Sequence, residues 1–155
     1  MKRIVFIPVL FCIFFLNIAG TCCDDDTIAV AVAKDVAPVV NTINKGTWKI
    51  SYFFDDNSNK TSLFSGHTFS FGSNAMLTAN KETTVYSGNW SVLQSNLVDD
   101  NPTNDLSFSI SFSSPDHMLS LSNNWDVFER TTTRVVLRDL NGGTGGIDYL
   151  TFEKI

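Results

Sequence analysis

Residues 106–112 read Leu-Ser-Phe-Ser-Ile-Ser-Phe, and this stretch decides the fold. Its four apolar side chains alternate with three serines. Because successive side chains of a β-strand point to opposite faces, this alternation predicts a strand with one buried and one solvated face. The same period of two recurs around Trp48, Ile50 and Tyr52 in residues 47–54. Both stretches indicate an all-β protein.

Turn-forming clusters divide the rest of the chain into about eight predicted strands. Asp, Asn, Ser and Gly concentrate between the apolar stretches, as they do in turns. The predicted strands are 47–54, 61–71, 75–80, 83–93, 106–112, 124–130, 133–140 and 147–155. Short loops between consecutive strands favour antiparallel pairing. Eight such strands can close into an up-and-down β-barrel without exposed edges, and a two-sheet sandwich is the alternative.

A short helix is predicted before the first strand. Apolar residues recur there with helical spacing, at Val36, Val39, Val40 and Ile43. Asp35 can cap the N-terminus of this helix, and Pro38 is tolerated only in its first turn. We expect the helix to end near Lys45 and Gly46, because glycine commonly follows the last helical turn.

The N-terminus has the features of a secretory signal peptide. Lys2 and Arg3 precede an apolar run over residues 4–16, which is 13 residues long. A membrane-spanning helix needs roughly 20 apolar residues, so this run is too short to be one. We therefore predict a signal peptide at 1–21, an acidic tether at 22–34 and a single domain at 35–155.

The charge balance excludes one class of partner. The chain has 11 basic and 16 acidic residues, a formal net charge of −5. Losing Lys2 and Arg3 with the signal leaves 9 basic residues against the same 16 acidic ones. Nucleic acid needs a basic face to neutralise its phosphates, so we expect no nucleic-acid partner.

The cysteines indicate how the exported protein is held. Cys12 lies in the signal, and no cysteine follows Cys23, so the domain depends on its hydrophobic core without disulfides. Cys22 follows Ala19-Gly20-Thr21 and resembles the lipobox cysteine of bacterial lipoproteins, which is acylated. The resemblance implies a lipid anchor at Cys22 in the bacterial envelope, with an outer-membrane address. The alternatives are modification at Cys23, or ordinary cleavage that leaves two free thiols.

The start of the first strand carries a second resemblance. Gly46-Thr47-Trp48 follows the predicted helix and resembles the Gly-x-Trp signature of lipocalins. Residues 43–155 as a whole look like the lipocalin-like lipoproteins of flavobacterial type. This resemblance implies a lipocalin-like barrel whose floor is closed by Trp48. It also implies a late arginine packed over that tryptophan, for which Arg134 and Arg138 are available.

The sequence provides few groups for chemistry. His67 and His117 are the only histidines, and neither has another ligand at metal-binding spacing. We expect each to be a surface residue or a satisfied hydrogen-bonding residue. No nucleophile elbow, zinc-protease helix or phosphate loop occurs. We therefore predict no catalytic residue, no metal, no cofactor and no enzymatic activity.

Two loops have compositions that some ligand sites share. Residues 99–105 are rich in carboxylate and amide oxygens, the ligands that calcium prefers. They lack the glycine and terminal glutamate of an EF-hand loop, so a solvated connection is the favoured interpretation. Residues 141–146 contain four glycines but no lysine and no following helix, so we predict a hairpin turn.

The predicted function is that of a monomeric binding or interaction module. In the first alternative, a small apolar ligand occupies the barrel and contacts large side chains, which the sequence suggests are Trp90, Phe108, Ile110, Phe112 and Trp125. In the second, these side chains form a packed core, and the outer surface has a structural role or meets a protein or glycan. The chain has 13 Phe, 3 Trp and 3 Tyr, and only four of these aromatics lie in the signal. This richness leans toward the packed core, and side-chain packing to the barrel axis would distinguish the two.

Overall fold

Strands dominate the computed structural model, which describes residues 35–95, 106–142 and 145–155. Two short α-helices and one 3₁₀ helix accompany the strands in this part of the chain. In chain order the elements are α1 Val36–Ile43, β1 Trp48–Asp55, β2 Ser58–Asn59, the 3₁₀ helix Thr61–Phe64, β3 Thr68–Phe71, β4 Met76–Lys81, β5 Thr84–Gln94, β6 Leu106–Phe112, α2 Asp116–Leu119, β7 Asn123–Arg130, β8 Arg134–Asp139 and β9 Asp148–Lys154.

The strands form a closed antiparallel barrel. From β3 to β9 each strand pairs with the next one along the chain, and β1 pairs with both β3 and β9. Trp48 lies opposite Lys154 and Phe54 lies opposite Tyr149, which closes the sheet on itself. The two-residue β2 pairs only with the end of β1 and stands outside the eight-strand closure. The predicted up-and-down barrel with a short N-terminal helix is confirmed, and the β1–β9 pairing excludes the sandwich.

Helix α1 covers one end of the barrel, which we call the α1 end. The carboxylate of Asp35 accepts a hydrogen bond from the backbone N–H of Ala37 at 3.0 Å, as expected for an N-cap. Val39 and Ile43 are fully buried against the barrel core. The helix stops at Ile43, two residues before the predicted end. The opposite end carries α2, between β6 and β7, and we call it the α2 end.

The predicted strand at 61–71 is wrong in its first half. Thr61–Phe64 forms a 3₁₀ helix, and only Thr68–Phe71 is a strand. The apolar pattern changes phase here, because Phe64 lies five positions before Phe69 and seven before Phe71, and both offsets are odd. In one continuous strand Phe64 would therefore face away from them. The 3₁₀ turn and Gly66, at φ +76°, turn Phe64 inward, where it is 2% exposed.

Aromatic rings fill the barrel axis. Phe53 on β1 contacts Trp125 on β7, with ring centroids 6.4 Å apart, although the two strands are not neighbours. Phe71 on β3 likewise contacts Phe108 on β6 at 5.8 Å. Contacts between non-adjacent strands must cross the interior, so the described core is packed through to its centre. This packing favours the second of the two predicted alternatives for the barrel.

Candidate functional site

The barrel wall is incomplete between β1 and β3. These strands share the register pair Trp48 and Phe69, whereas β1 runs beside β9 along nearly its whole length. Beyond Trp48 the edge of β1 is covered by the segment that contains the 3₁₀ helix. The backbone N–H of Lys60 donates to the Phe53 carbonyl at 2.8 Å, and the Phe53 N–H donates to Thr61 Oγ1 at 2.8 Å. The 3₁₀ segment therefore supplies hydrogen-bond partners to backbone groups of β1 that a longer β3 would have paired.

An open groove of about 710 Å³ lies along this gap. Six polar side chains line it together with Gly66 and two buried apolar residues, so its walls are mixed in character. The lining side chains are Lys49, Asn59, Thr61, Ser62, Ser65 and His67, with Ile50 and Phe64. Hydroxyl, amide, ammonium and imidazole groups along it could form hydrogen bonds with a ligand, while Ile50 and Phe64 offer apolar contact.

His67 is the unusual residue of this groove. Its side chain is buried, at 3% exposure. Neither ring nitrogen has a hydrogen-bond partner among the described residues. A neutral imidazole has one N–H donor and one acceptor nitrogen, and both are unused here. Leaving a buried polar group unsatisfied costs about 1–3 kcal/mol, so such a group requires a physical reason.

The surroundings keep His67 neutral. Burial lowers the pKa of its imidazole, and the charges of Lys81 and His117 lower it further. The carbonyl oxygens of Phe64 and Ser65 oppose this shift in pKa, although neither reaches hydrogen-bond geometry with the ring. The result is an uncharged imidazole buried beside the groove, with neither nitrogen hydrogen-bonded within the described residues.

The expectation of a surface or satisfied histidine is wrong for His67, and the two histidines are not isolated from each other. The ring centroids of His67 and His117 are 5.6 Å apart, although the residues are fifty positions apart in sequence. Tyr86 contacts both rings, at 5.9 Å from His67 and 5.5 Å from His117. The 3₁₀ segment and α2 meet at the same end of the barrel, and this meeting creates the cluster. Residue type alone gave no signal of it.

The geometry of the histidine cluster falls short of a metal or catalytic centre in the described ranges. No three His, Cys, Asp or Glu side chains within residues 35–95, 106–142 and 145–155 stand together as metal ligands. His67 also lacks the hydrogen bond to a carboxylate that would orient it as a general base. The arrangement places one buried, unpartnered imidazole at the edge of an open groove. The absence of enzymatic activity stays a prediction.

The five large residues suggested as ligand-lining or core are all buried. Trp90, Phe108, Ile110, Phe112 and Trp125 are each at most 5% exposed. Trp90 stacks on Phe108 with centroids 5.7 Å apart, and its Nε1 donates to the Gly72 carbonyl at 2.9 Å. Trp125 Nε1 donates to the Leu121 carbonyl at 3.1 Å. The two tryptophans donate hydrogen bonds within the protein, and all five side chains fill its core.

The glycine–tryptophan signature lies at the α1 end. Trp48 is fully buried, and its Nε1 donates to the carbonyl of Ile43 at 2.8 Å, which satisfies a free carbonyl at the end of α1. The cation nearest its ring is Lys154, whose Nζ lies 5.9 Å from the centroid. Neither suggested arginine holds that position. Arg134 pairs with Glu129, and Arg138 lies over Phe128.

Several predicted features lie outside the described residues. These are the signal peptide, the acidic tether with Cys22 and Cys23, the loop at 99–105, and two residues of the glycine-rich turn at 141–146. Within the described ranges, no helix combines the length and apolar character required to cross a bilayer.

Comparisons with known proteins give no family for the chain. No protein-family model matches it, and no curated protein matches it. It is similar to the crystal structure of a DUF4847 family protein from Bacteroides vulgatus, with 13% identity and a TM-score of 0.49, over 76% of this chain and 97% of that one. It is also similar to a mutant of LTBP1 in complex with leukotriene C4, with 17% identity and a TM-score of 0.38, over 74% of this chain and 68% of that one. The strand order of the chain itself defines the fold.

Proposed function

We propose that this protein is a lipid-anchored binding module of the bacterial envelope that holds a short glycan or a similar polyhydroxylated molecule in the His67 groove. The observation that carries this proposal is the buried, neutral imidazole of His67, whose two nitrogens have no partner among the described residues. A ligand hydroxyl can donate a hydrogen bond to the unprotonated ring nitrogen or accept one from the protonated nitrogen, so it suits either tautomer.

The shape and chemistry of the groove support a polar ligand. Asn59, Thr61, Ser62 and Ser65 place amide and hydroxyl groups along it, and it is open to solvent. A ligand with several hydroxyls could exchange its water contacts for these groups at little cost. The packed axis leaves the rings of the core in contact with one another, which makes the groove a better candidate site than the barrel interior.

The anchor and the address belong to the same proposal. Cys22 acylation would hold the barrel at the bacterial envelope, with the outer membrane as the expected location. In this proposal the receptor is monomeric and non-catalytic. Binding of the ligand itself involves no covalent step.

The test is a titration of the purified protein with four neutral disaccharides: maltose, cellobiose, lactose and diacetylchitobiose. The nitrogen signals of the His67 ring are followed by NMR. At least one sugar should shift these signals saturably. His67→Phe should abolish binding while the protein stays folded, because the two side chains have similar volume. His117→Phe is the matched control, since His117 contacts His67 but does not line the groove, and it should retain binding.

Two results would contradict the proposal. One is the absence of any saturable shift of His67 with all four sugars. The other is equal loss of binding in both histidine variants, which would indicate a general effect on the cluster. Native mass spectrometry of protein purified from its host provides a second measurement. An apolar co-purified molecule would favour the interior site instead, and its addition should then shift the NMR signals of Trp90 and Phe108.

A further inference from the structure

A second pocket, of about 320 Å³, lies at the α1 end of the barrel. Three cationic side chains line it, together with the amide of Asn41 and the hydroxyls of Thr42 and Thr132. The cations are Lys45 after α1, Arg130 at the end of β7 and Lys154 at the end of β9. This concentration of positive charge stands out in a chain whose formal net charge is −5.

No described carboxylate forms an ion pair with any of these three cations. The nearest acidic residues in sequence, Glu129 and Glu153, pair instead with Arg134 and Lys49. The reason is the pleat of the strands, since successive side chains point to opposite faces. Glu129 and Glu153 are therefore directed away from the pocket by the same geometry that directs their neighbours Arg130 and Lys154 toward it.

Two of the cations are held in place by the fold. Arg130 Nη1 donates to Thr42 Oγ1 at 3.1 Å, while its Nε is buried and has no acceptor among the described residues. Lys154 crosses Gly46 and lies beside the ring of Trp48. Positioned cations bind an anion with less loss of side-chain entropy than free ones.

The three cations of the pocket outweigh the opposing charge at the end of helix α1. The C-terminal end of α1 contributes roughly half an elementary negative charge, which offsets less than one of the three cations. The remaining charges repel each other at low screening, and an oxyanion between them would relieve that repulsion. A guanidinium presents donors in a fork that matches two oxygens of a phosphate group.

We infer that this pocket binds a phosphate group. Arg130 contacts two of its oxygens, Lys45 and Lys154 supply point charges, and Thr132 and Asn41 donate further hydrogen bonds. The inference does not depend on the proposed glycan groove, because the two pockets share no lining residue.

The phosphate can belong to a lipid headgroup or to a free anion. Only 13 positions separate Cys22 from Asp35 at the start of α1, so an anchored protein would hold this end close to the membrane.

The first test is a titration of the purified protein with sodium phosphate at constant ionic strength. The Arg130 Nε–H signal should shift saturably in the NMR spectrum. Arg130→Gln should weaken the apparent affinity at least tenfold. Arg134→Gln is the matched control, because it removes an exposed arginine from the same β7–β8 hairpin, and it should keep the affinity of the parent. Lys45→Gln should weaken phosphate binding severalfold. Because Lys45 is exposed and lies outside helix α1, this variant should fold even if Arg130→Gln does not.

Two results would overturn the phosphate site. One is a linear, unsaturated shift with phosphate in the parent protein. The other is equal weakening in Arg134→Gln and in the two pocket variants, which would indicate general screening of surface charge.

Vesicles then distinguish the two sources of the phosphate. The protein is mixed with vesicles of phosphatidylcholine alone and with vesicles that also contain phosphatidylglycerol, after Cys22→Ser removes the anchor. Binding to the anionic vesicles that free phosphate displaces would identify a lipid headgroup. Saturable phosphate binding without vesicle binding would identify a free anion. The absence of both responses would refute the site, and neither result bears on the sugar titration of the His67 groove.

Discussion

The side chain of Lys154 passes directly over Gly46, so that a Cβ at this glycine would lie 2.7 Å from Lys154 Cε. Gly46 also has φ +88°, a conformation that favours glycine. The signature glycine therefore has two separate physical causes, the backbone turn after α1 and the path of a lysine. The ammonium group of Lys154 then lies 5.9 Å from the centroid of the Trp48 ring, so this side chain is close to both Gly46 and Trp48.

Replacing Gly46 with Ala should destabilise the protein by about 1–2 kcal/mol from backbone strain alone, plus the cost of moving Lys154. Gly66→Ala is the control, because Gly66 has φ +76° and no described heavy atom lies within 4 Å of the place that its methyl group would occupy. Urea denaturation should show the larger loss for Gly46→Ala. When Lys154 is also replaced by Ala, the two glycine variants should lose equal stability. If Gly46→Ala still loses more, the contact between residue 46 and the Lys154 side chain is refuted.

Trp48→Ala should cost about 3–5 kcal/mol, since it removes a fully buried ring and frees the Ile43 carbonyl. The melting temperature should fall by about 10 °C or more. Trp90→Ala and Trp125→Ala are buried comparators. Tyr52→Ala, on the exposed face of the same strand, should change the melting temperature little. A parent-like melting temperature for Trp48→Ala would contradict its role as the closure of the α1 end.

Stability should fall as the pH decreases from about 6.5, the ordinary pKa of histidine, toward the lowered pKa of folded His67. In this range the unfolded chain binds a proton that the buried imidazole does not bind, so acid favours unfolding. Above pH 6.5 the His67 imidazole is mostly neutral in both the folded and the unfolded chain, so its protonation no longer lowers the free energy of unfolding. Denaturant unfolding of the parent at several pH values should show this decline, and His67→Phe should remove it. Identical pH profiles for the two proteins would show that His67 is not the titrating group.

Asp148→Asn should stabilise the protein at pH 7. Burial raises the pKa of the Asp148 carboxyl, and the charges of Asp55, Asp139 and Asp56 raise it further, while the Asp56 N–H opposes the shift. A raised pKa means that the favourable contribution is present at acid pH and is lost as the pH rises through the folded pKa. Asparagine keeps an oxygen for the Asp56 N–H without the charge.

The gain from Asp148→Asn should disappear near pH 3, where the parent carboxyl is protonated. Glu82→Gln removes the same charge from an exposed turn and should have little effect at either pH. Unfolding free energies at pH 7 and pH 3 provide the measurement. A loss of stability at pH 7 would show that ionised Asp148 is favourable where it lies.

Cys22→Ser should abolish labelling by an alkyne fatty acid and move the protein from membrane to soluble fractions. The physical reason is that buried methylenes of the acyl chains, at about 0.8 kcal/mol each, supply the membrane affinity. Cys23→Ser is the matched control and should leave labelling unchanged. Labelling that survives Cys22→Ser but not Cys23→Ser would place the anchor one residue later.

The strands could be predicted from sequence because their signal is local. In residues 106–112 the serine alternation fixes which face is buried, and β6 spans those same residues. Residues 61–71 failed for a reason that is also visible in sequence. The change of phase between Phe64 and Phe69 is incompatible with a single strand that buries both, so the chain bends at Gly66.

Sequence by itself determined the capped helix, the acidic, disulfide-free character of the domain and most of the period-two strands, because each depends on residue types or on neighbours in the chain. The exception is β1, where a bulge after Ile50 buries Phe53 and exposes Tyr52. Only the tertiary structure brought His67 beside His117 and left the buried imidazole without a partner among the described residues. It also gathered Lys45, Arg130 and Lys154 from three separate elements into one pocket. Barrel closure and the folding back of the 3₁₀ segment and α2 decide these positions, and residue type and spacing do not encode them locally.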